Sequence, residues 1–220
     1  MRIIFAIHGI RSHKQGNWVF DFIEFMKKDP RFNGGIFLPY YYGFVLATVS
    51  ISPFFKFQKV KQVKEALRKI MAENPGCELN IIAHSYGTEL SFWAIKTSGE
   101  DGLPPIKVDK MILVASVVSR HYHIPYNDTL RAGKIKQLHC YCSFEDEVCN
   151  YAPFGHSGCF GFSKDKYDKK CYPKPFDDLE IYNHQAEIAE HGDYFKGTKY
   201  YQEWLDIIAE EKNRIPTTAH

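Results

Sequence analysis

The segment Ala83-His84-Ser85-Tyr86-Gly87 has the residue types and spacing that point most directly to chemistry. It follows Leu79-Asn80-Ile81-Ile82, an apolar run of strand length, and precedes Thr88 to Ala94, whose pattern is helical. A strand that passes at once into a helix leaves its junction residue, Ser85, on a sharp turn with the hydroxyl presented at the sheet edge. The small residues two before and two after the serine have a steric role, because the backbones approach too closely there for a large side chain. A serine hydroxyl is a poor nucleophile until a base removes its proton. The catalytic reading therefore needs a histidine near Ser85 and a carboxylate that fixes the tautomer of that histidine. The bland alternative is a structural turn.

Ten histidines compete for the role of base. His191 lies in His191-Gly192-Asp193-Tyr194-Phe195, between a strand-like stretch at Leu179 to Ala186 and a closing helical pattern, and the following glycine lets the chain turn back tightly. His184 and His156 are its rivals. For the carboxylate, Asp146 follows an apolar run that ends near Ser143; Glu145 is the nearest substitute and Asp128 a distant one. An acidic trio such as Glu145-Asp146-Glu147 is otherwise read as solvated surface.

The positioning elements are legible as alternating patterns. Apolar runs at Ile3 to Ile7, Ile36 to Tyr42, Leu79 to Ala83, Met111 to Val118 and Ile135 to Ser143 are nearly continuous, as in strands buried on both faces. Helical spacing links Trp18, Phe22, Phe25 and Met26; Val60, Val63, Leu67 and Ile70; Leu90, Trp93 and Ala94; and Tyr200, Tyr201, Trp204, Leu205 and Ile208. This alternation predicts an α/β protein, a mostly parallel sheet with helices on both faces. In such sheets ligands bind beyond the carboxyl ends of the strands, where His8-Gly9-Ile10-Arg11, His84-Ser85-Tyr86-Gly87 and Phe144-Glu145-Asp146 all fall. Nothing divides the chain, so one domain over residues 1–213 is expected, with Arg214 to His220 as a flexible tail.

On His8-Gly9-Ile10, Ala83 to Gly87, Asp146 and His191-Gly192-Asp193, the sequence resembles the α/β-hydrolase superfamily, and within it small lipases and esterases whose elbow begins with Ala rather than Gly. The resemblance implies a Ser85, Asp146, His191 triad in that chain order and an acyl-enzyme intermediate. It also implies an oxyanion hole from the backbone N–H groups of Tyr86 and Ile10, with His8, Gly9, His84 and Gly87 supporting those turns. Because the first strand begins at residue 2, the two leading strands of the full fold have no room, and about six strands are expected instead of eight. The implied reaction is cleavage of a carboxylic ester. Thioester hydrolysis and acyl transfer share the machinery, and a non-catalytic binding protein on the same fold is the rival class.

Composition narrows the partners. The 220 residues are 45% hydrophobic and 25% charged, with a net charge of +2, and no basic stripe suggests nucleic acid. Residues Phe32 to Phe55 carry no charge, yet Pro39, Gly43 and Pro53 interrupt them, so no transmembrane span is expected. Phe44 to Phe57 read evenly as an acyl-chain wall or flap open to transient lipid contact, or as plain core, and favour an apolar small-molecule ester. Ser119 to Gly133, with His121, Tyr122, His123 and Tyr126, is a second candidate lining. No secretory signal precedes the first strand, so a cytoplasmic setting with reduced thiols is expected; a disulfide among Cys149, Cys159 and Cys171 would belong to an exported protein. The cysteines lack the Cys-x-x-Cys spacing of a zinc knuckle, and Gly155, Gly158 and Gly161 lack the dinucleotide fingerprint, so no metal or nucleotide cofactor is implied.

Overall fold

In a computed structural model, the described residues are 1–9, 18–42, 52–120, 128–150, 155–165, 169–188 and 190–210. Strands β1 (Arg2–Ile7), β2 (Ile36–Tyr40), β3 (Glu78–His84), β4 (Val108–Val114), β5 (Ile135–Cys142) and β6 (Ile181–Gln185) form one sheet of order β2-β1-β3-β4-β5-β6. Every neighbouring pair is parallel. All the strand carboxyl ends thus share one edge, which is why the loops after β1, β3 and β5 converge.

Between the strands run helices α1 (Trp18–Met26), α2 (Pro53–Glu73), α3 (Tyr86–Lys96), α4 (Glu147–Asn150) and α5 (Ser157–Phe160), and α6 (Lys199–Ala209) follows β6. Both faces of the sheet are covered. On β5, Tyr141 meets Trp204 of α6 edge to face at 6.0 Å, whereas its neighbour Cys140 points the other way and donates its thiol to the Ser157 carbonyl of α5. The face under α6 is aromatic: Trp18 stacks on Phe195 at 4.6 Å, and Phe22, Tyr201 and Trp204 pack edge to face around it. Lys110 of β4 is buried beneath the end of α6, where its ammonium donates to the carbonyls of Ile207, Ile208 and Glu210 and so caps the helix terminus.

Two expected elements shift. The apolar run Met111 to Val118 forms a strand only to Val114; Ala115 takes φ 47°, and the next residues turn under α5, with the Ser116 and Val117 carbonyls accepting from Gly158 and Gly155. These residues are apolar because they are buried, not because they extend the strand. At Pro53 to Phe57 the chain is the first turn of α2, neither loop nor flap. Ser52 occupies the N-cap with extended backbone, and Pro53 fits the first helical position because its missing N–H would have had no partner there. Phe54 and Phe57 are 71% and 70% exposed, which overturns the core reading for both, while Phe55 packs against the core. Residues 44–51 of that stretch, His121 to Tyr126 of the second candidate lining, and the tail 214–220 lie outside the described residues. Among the described residues no helix is long and apolar enough to cross a membrane.

Candidate active site

Ser85 is the single residue between the end of β3 and the start of α3, and its backbone sits at φ 53°, ψ −126°. That conformation strains an L-residue by roughly 1–3 kcal/mol and persists only where its surroundings hold it. Here they do. The Ser85 N–H donates to the Val114 carbonyl at 3.0 Å, and the Ser85 carbonyl accepts from the N–H and the hydroxyl of Thr88. Gly87 is required by contact: a Cβ there would stand 2.6 Å from the His8 carbonyl oxygen and 3.0 Å from that of Ile7. Gly9 faces the serine in the same way, its notional Cβ 2.8 Å from Ser85 Cβ and 3.2 Å from Oγ. Of the two small residues predicted from sequence, Gly87 is therefore small because β1 and its loop press against the turn.

Asp146 is fully buried, while Glu145 and Glu147 on either side are exposed, so the acidic trio separates into one interior carboxylate and two surface ones. The turn after β5 achieves this: Asp146 N–H donates to Ser143 O at 3.2 Å, and Oδ1 accepts from the Cys149 N–H at 3.1 Å in the first turn of α4. Both carboxylate oxygens then meet His191 Nδ1, at 3.0 and 2.8 Å. This pairing sets the neutral ring with its proton on Nδ1 and leaves Nε2 free to act as a base. His191 Nε2 is buried and has no hydrogen-bond partner among the described residues, Ser85 Oγ included.

His84 links the two halves. Its Nε2–H donates to the His191 carbonyl at 3.3 Å, and its ring centroid lies 4.8 Å from that of His191. Burial, reinforced by the neighbouring His191, drives its pKa well below the ordinary value, so it remains a neutral donor. The sequence marked His84 only as part of the turn; its bond to the His191 loop depends on tertiary packing. The rival bases lie elsewhere. His184 Nε2 is 3.0 Å from His139 Nδ1 and stacks on Tyr141, and His156 precedes α5 beside Phe160. Asp128 is exposed.

On the other side of Ser85, the buried His8 donates Nδ1–H to the Gly9 carbonyl and stacks on Tyr42 with centroids 4.6 Å apart. Burial lowers its pKa, which keeps the ring neutral. His8 thus holds the start of the loop whose next residue, Ile10, lies outside the described residues. Tyr86, the residue after the serine, opens α3, where backbone N–H groups point away from the helix toward the sheet edge.

The cysteines are all free thiols. Cys140 and Cys142 share one face of β5 and are buried, as small apolar side chains would be; Cys142 Sγ is 3.4 Å from Cys171 Sγ, a proximity with no sequence signal. Cys149 is buried with its Sγ 3.8 Å from His191 Nδ1. A cleft of about 410 Å³ lined by Arg2, Glu78, Asp109, Lys110 and Lys136 lies at the amino ends of the strands, away from Ser85. Its charged walls are mutually paired, Arg2 with Glu78 and Lys136 with Asp109.

No model of a known protein family matches the chain, and no curated protein does. Solved structures match its fold. A gene product of Listeria innocua is similar over 97% of this chain and 96% of its own, with 9% identity and a TM-score of 0.58. Carboxyl esterase 2 of the mycorrhizal fungus Tuber melanosporum is similar over 94% and 76%, with 11% identity and a TM-score of 0.53. An acetylxylan esterase is similar over 94% and 96%, with 11% identity and a TM-score of 0.51. The six-stranded parallel sheet with its flanking helices resembles the α/β-hydrolase superfamily in fold, as the sequence motifs implied.

Proposed function

We propose that this chain is a serine hydrolase that cleaves carboxylic esters, with Ser85 as nucleophile, His191 as general base and then acid, and Asp146 as the group that orients His191. The observation that carries the reading is the buried Asp146 carboxylate on His191 Nδ1, with Nε2 unpartnered at the sheet edge that also holds the strained Ser85 turn. In this reading His191 Nε2 takes the Ser85 proton as Oγ attacks the ester carbonyl, and Asp146 stabilises the imidazolium that forms. The same proton passes to the leaving alcohol, and water then repeats the sequence to release the acid. The contact between Ser85 Oγ and Nε2 closes when substrate binds, as is common for catalytic hydrogen bonds that are long in the free enzyme.

The tetrahedral oxyanion would be met by the Tyr86 N–H, aided by the α3 dipole, and by the Ile10 N–H, assigned from the family resemblance. Each such donor is worth roughly 3–4 kcal/mol. The catalytic unit is one hydrolase domain over residues 1–213. The substrate is an uncharged ester with an apolar acyl or alcohol part. Support comes from the apolar run 44–51 after β2 and from the exposed Phe54 and Phe57, which also offer a contact for a lipid surface. A p-nitrophenyl ester series tests this. Each buried methylene contributes about 0.8 kcal/mol, so kcat/KM should rise about fourfold per methylene until the pocket is full. No hydrolysis of any ester or thioester by the wild type, or equal hydrolysis by Ser85→Ala, overturns the reading.

A further inference from the structure

Three atoms able to ligate a metal crowd the Nδ1 side of His191. The Asp146 carboxylate oxygens lie 2.8 and 3.0 Å from Nδ1, Cys149 Sγ lies 3.8 Å from it, and the ligand atoms of the three residues fall within 4.8 Å of one another. Triad chemistry requires the carboxylate and the imidazole here, but has no use for a thiol. Nor can the sulfur swing clear. The Cys149 N–H is tied to Asp146 Oδ1, and Sγ is seated on Gly158, where a Cβ would come within 2.4 Å of it.

The spacing suits a small thiophilic cation. A tetrahedral zinc with nitrogen and oxygen ligands at about 2.0–2.1 Å and sulfur at about 2.3 Å has N···O edges near 3.3 Å and N···S edges near 3.5 Å. The Asp146–His191 pair would open by about 0.4 Å, the Cys149–His191 pair close by about 0.3 Å, and the Asp146 and Cys149 ligand atoms, which lie within 4.8 Å, settle toward an O···S edge of about 3.5 Å. Charge also balances, since a thiolate and a carboxylate neutralise a divalent ion. Asp146 and Cys149 are fully buried, while the His191 side chain is 18% exposed and gives the ion a way in.

We propose that Asp146, Cys149 and His191 Nδ1 form a site for a thiophilic divalent cation, Zn²⁺ foremost, whose occupation switches the hydrolase off. The switch rests on the triad reading, whereas the site itself does not. When the ion binds, the Cys149 S–H proton leaves to solvent and the thiolate bonds the metal. The ring's single proton moves through solvent from Nδ1 to Nε2, so a lone pair on Nδ1 takes the metal while the ring stays neutral, and the thiol proton is the only one lost. A ring protonated at Nε2 cannot accept the Ser85 proton.

The test titrates the reduced full chain with Co²⁺, a spectroscopic stand-in for Zn²⁺, and separately measures Zn²⁺ inhibition of ester hydrolysis. Wild type should develop a near-ultraviolet thiolate-to-cobalt charge-transfer band that Cys149→Ser and Cys149→Ala both lack. His191→Ala, at a partly exposed position, should weaken the band's Co²⁺ affinity by about tenfold or more. The Cys149 variants should keep enough ester hydrolysis for inhibition to be read against each variant's own uninhibited rate, yet need at least about tenfold more Zn²⁺ for half-inhibition. No band in the wild type, or a band retained by both Cys149 variants, overturns the site. Equal Zn²⁺ sensitivity of wild type and Cys149→Ala overturns the switch. A band that behaves as expected in a protein without hydrolase activity leaves the site standing and counts against the triad reading alone.

Discussion

Gly9→Ala separates a catalytic contact from a structural one. The added Cβ would lie 2.8 Å from Ser85 Cβ, 3.2 Å from Oγ and 3.2 Å from His84 Nδ1, and Gly9 does not have the positive φ that would strain an alanine. Restoring an ordinary contact needs a retreat of at least about 0.6 Å, and the yielding atoms are the proposed nucleophile and the histidine beside it. Misplacing a reacting group by about 1 Å costs on the order of 10²-fold, so kcat/KM should fall between about tenfold and 10²-fold. Ser85 Cβ yields only with its own turn, so relieving the overlap should destabilise the protein by about 1–2 kcal/mol, or roughly 2–8 °C in Tm. Gly87→Ala is the contrast, because its Cβ would meet two backbone carbonyls, at 2.6 and 3.0 Å, and push β1 away from α3. Its penalty should reach about 3 kcal/mol, roughly 6–12 °C. Gly192→Ala, whose Cβ meets nothing within 4 Å, should alter neither quantity. Steady-state kinetics on p-nitrophenyl butyrate and thermal melts of the three variants provide the readout. A Gly9→Ala enzyme within twofold of wild type, or one whose loss merely tracks its loss of stability, refutes the placement of Ser85 Oγ at the reacting centre.

Asp146→Asn should lower kcat by about 10⁴-fold through the wrong His191 tautomer, and Ser85→Ala or His191→Ala by about 10⁶-fold, with the double variant no worse than either single; single-turnover acylation measures this. Phe54→Asp and Phe57→Asp replace exposed rings, so stability and hydrolysis of dissolved short esters should stay unchanged, while activity on phospholipid vesicles or emulsified ester falls; loss of fold by both would mean that the rings are packed. Stability should decline from pH 7 to pH 5. Burial lowers the folded-state pKa of His8, His84, His139 and His184, His139 to about 3, so below about pH 6.5 the unfolded chain binds protons that the folded chain does not. The stabilisation is present above the unfolded pKa and lost as pH falls. Denaturant unfolding should show a slope reduced in His139→Gln by up to one proton, about 1.4 kcal/mol per pH unit, and an unchanged slope would refute this.

The strands were legible because a parallel sheet covered on both faces requires nearly continuous apolar runs, and β1, β3 and β5 read off almost to their ends. The end of β4 was not, because Ala115 to Val118 are buried beneath α5 as irregular chain, and burial selects the same residues there as in a strand. The Ser85 turn was legible because the strand-to-helix junction leaves a local pattern, with a small residue two before and two after the serine. Choosing Asp146 over Glu145 from sequence rested on the shorter Asp side chain and its place in the motif; the structure separates them by burial, a property of the turn that follows β5. Cys149 beside His191 and His84 bonded to its loop had no sequence signal, since each joins segments over 40 residues apart.

Labelling with a fluorophosphonate probe, followed by mass spectrometry of the modified peptide, tests the central claim most directly, because the probe reacts with a serine only when a base and oxyanion donors activate it. The folded wild type should be labelled at Ser85 alone, with labelling abolished in Ser85→Ala and nearly so in His191→Ala. A wild type that stays unlabelled, or a Ser85→Ala variant labelled as fully as the wild type, would contradict the account.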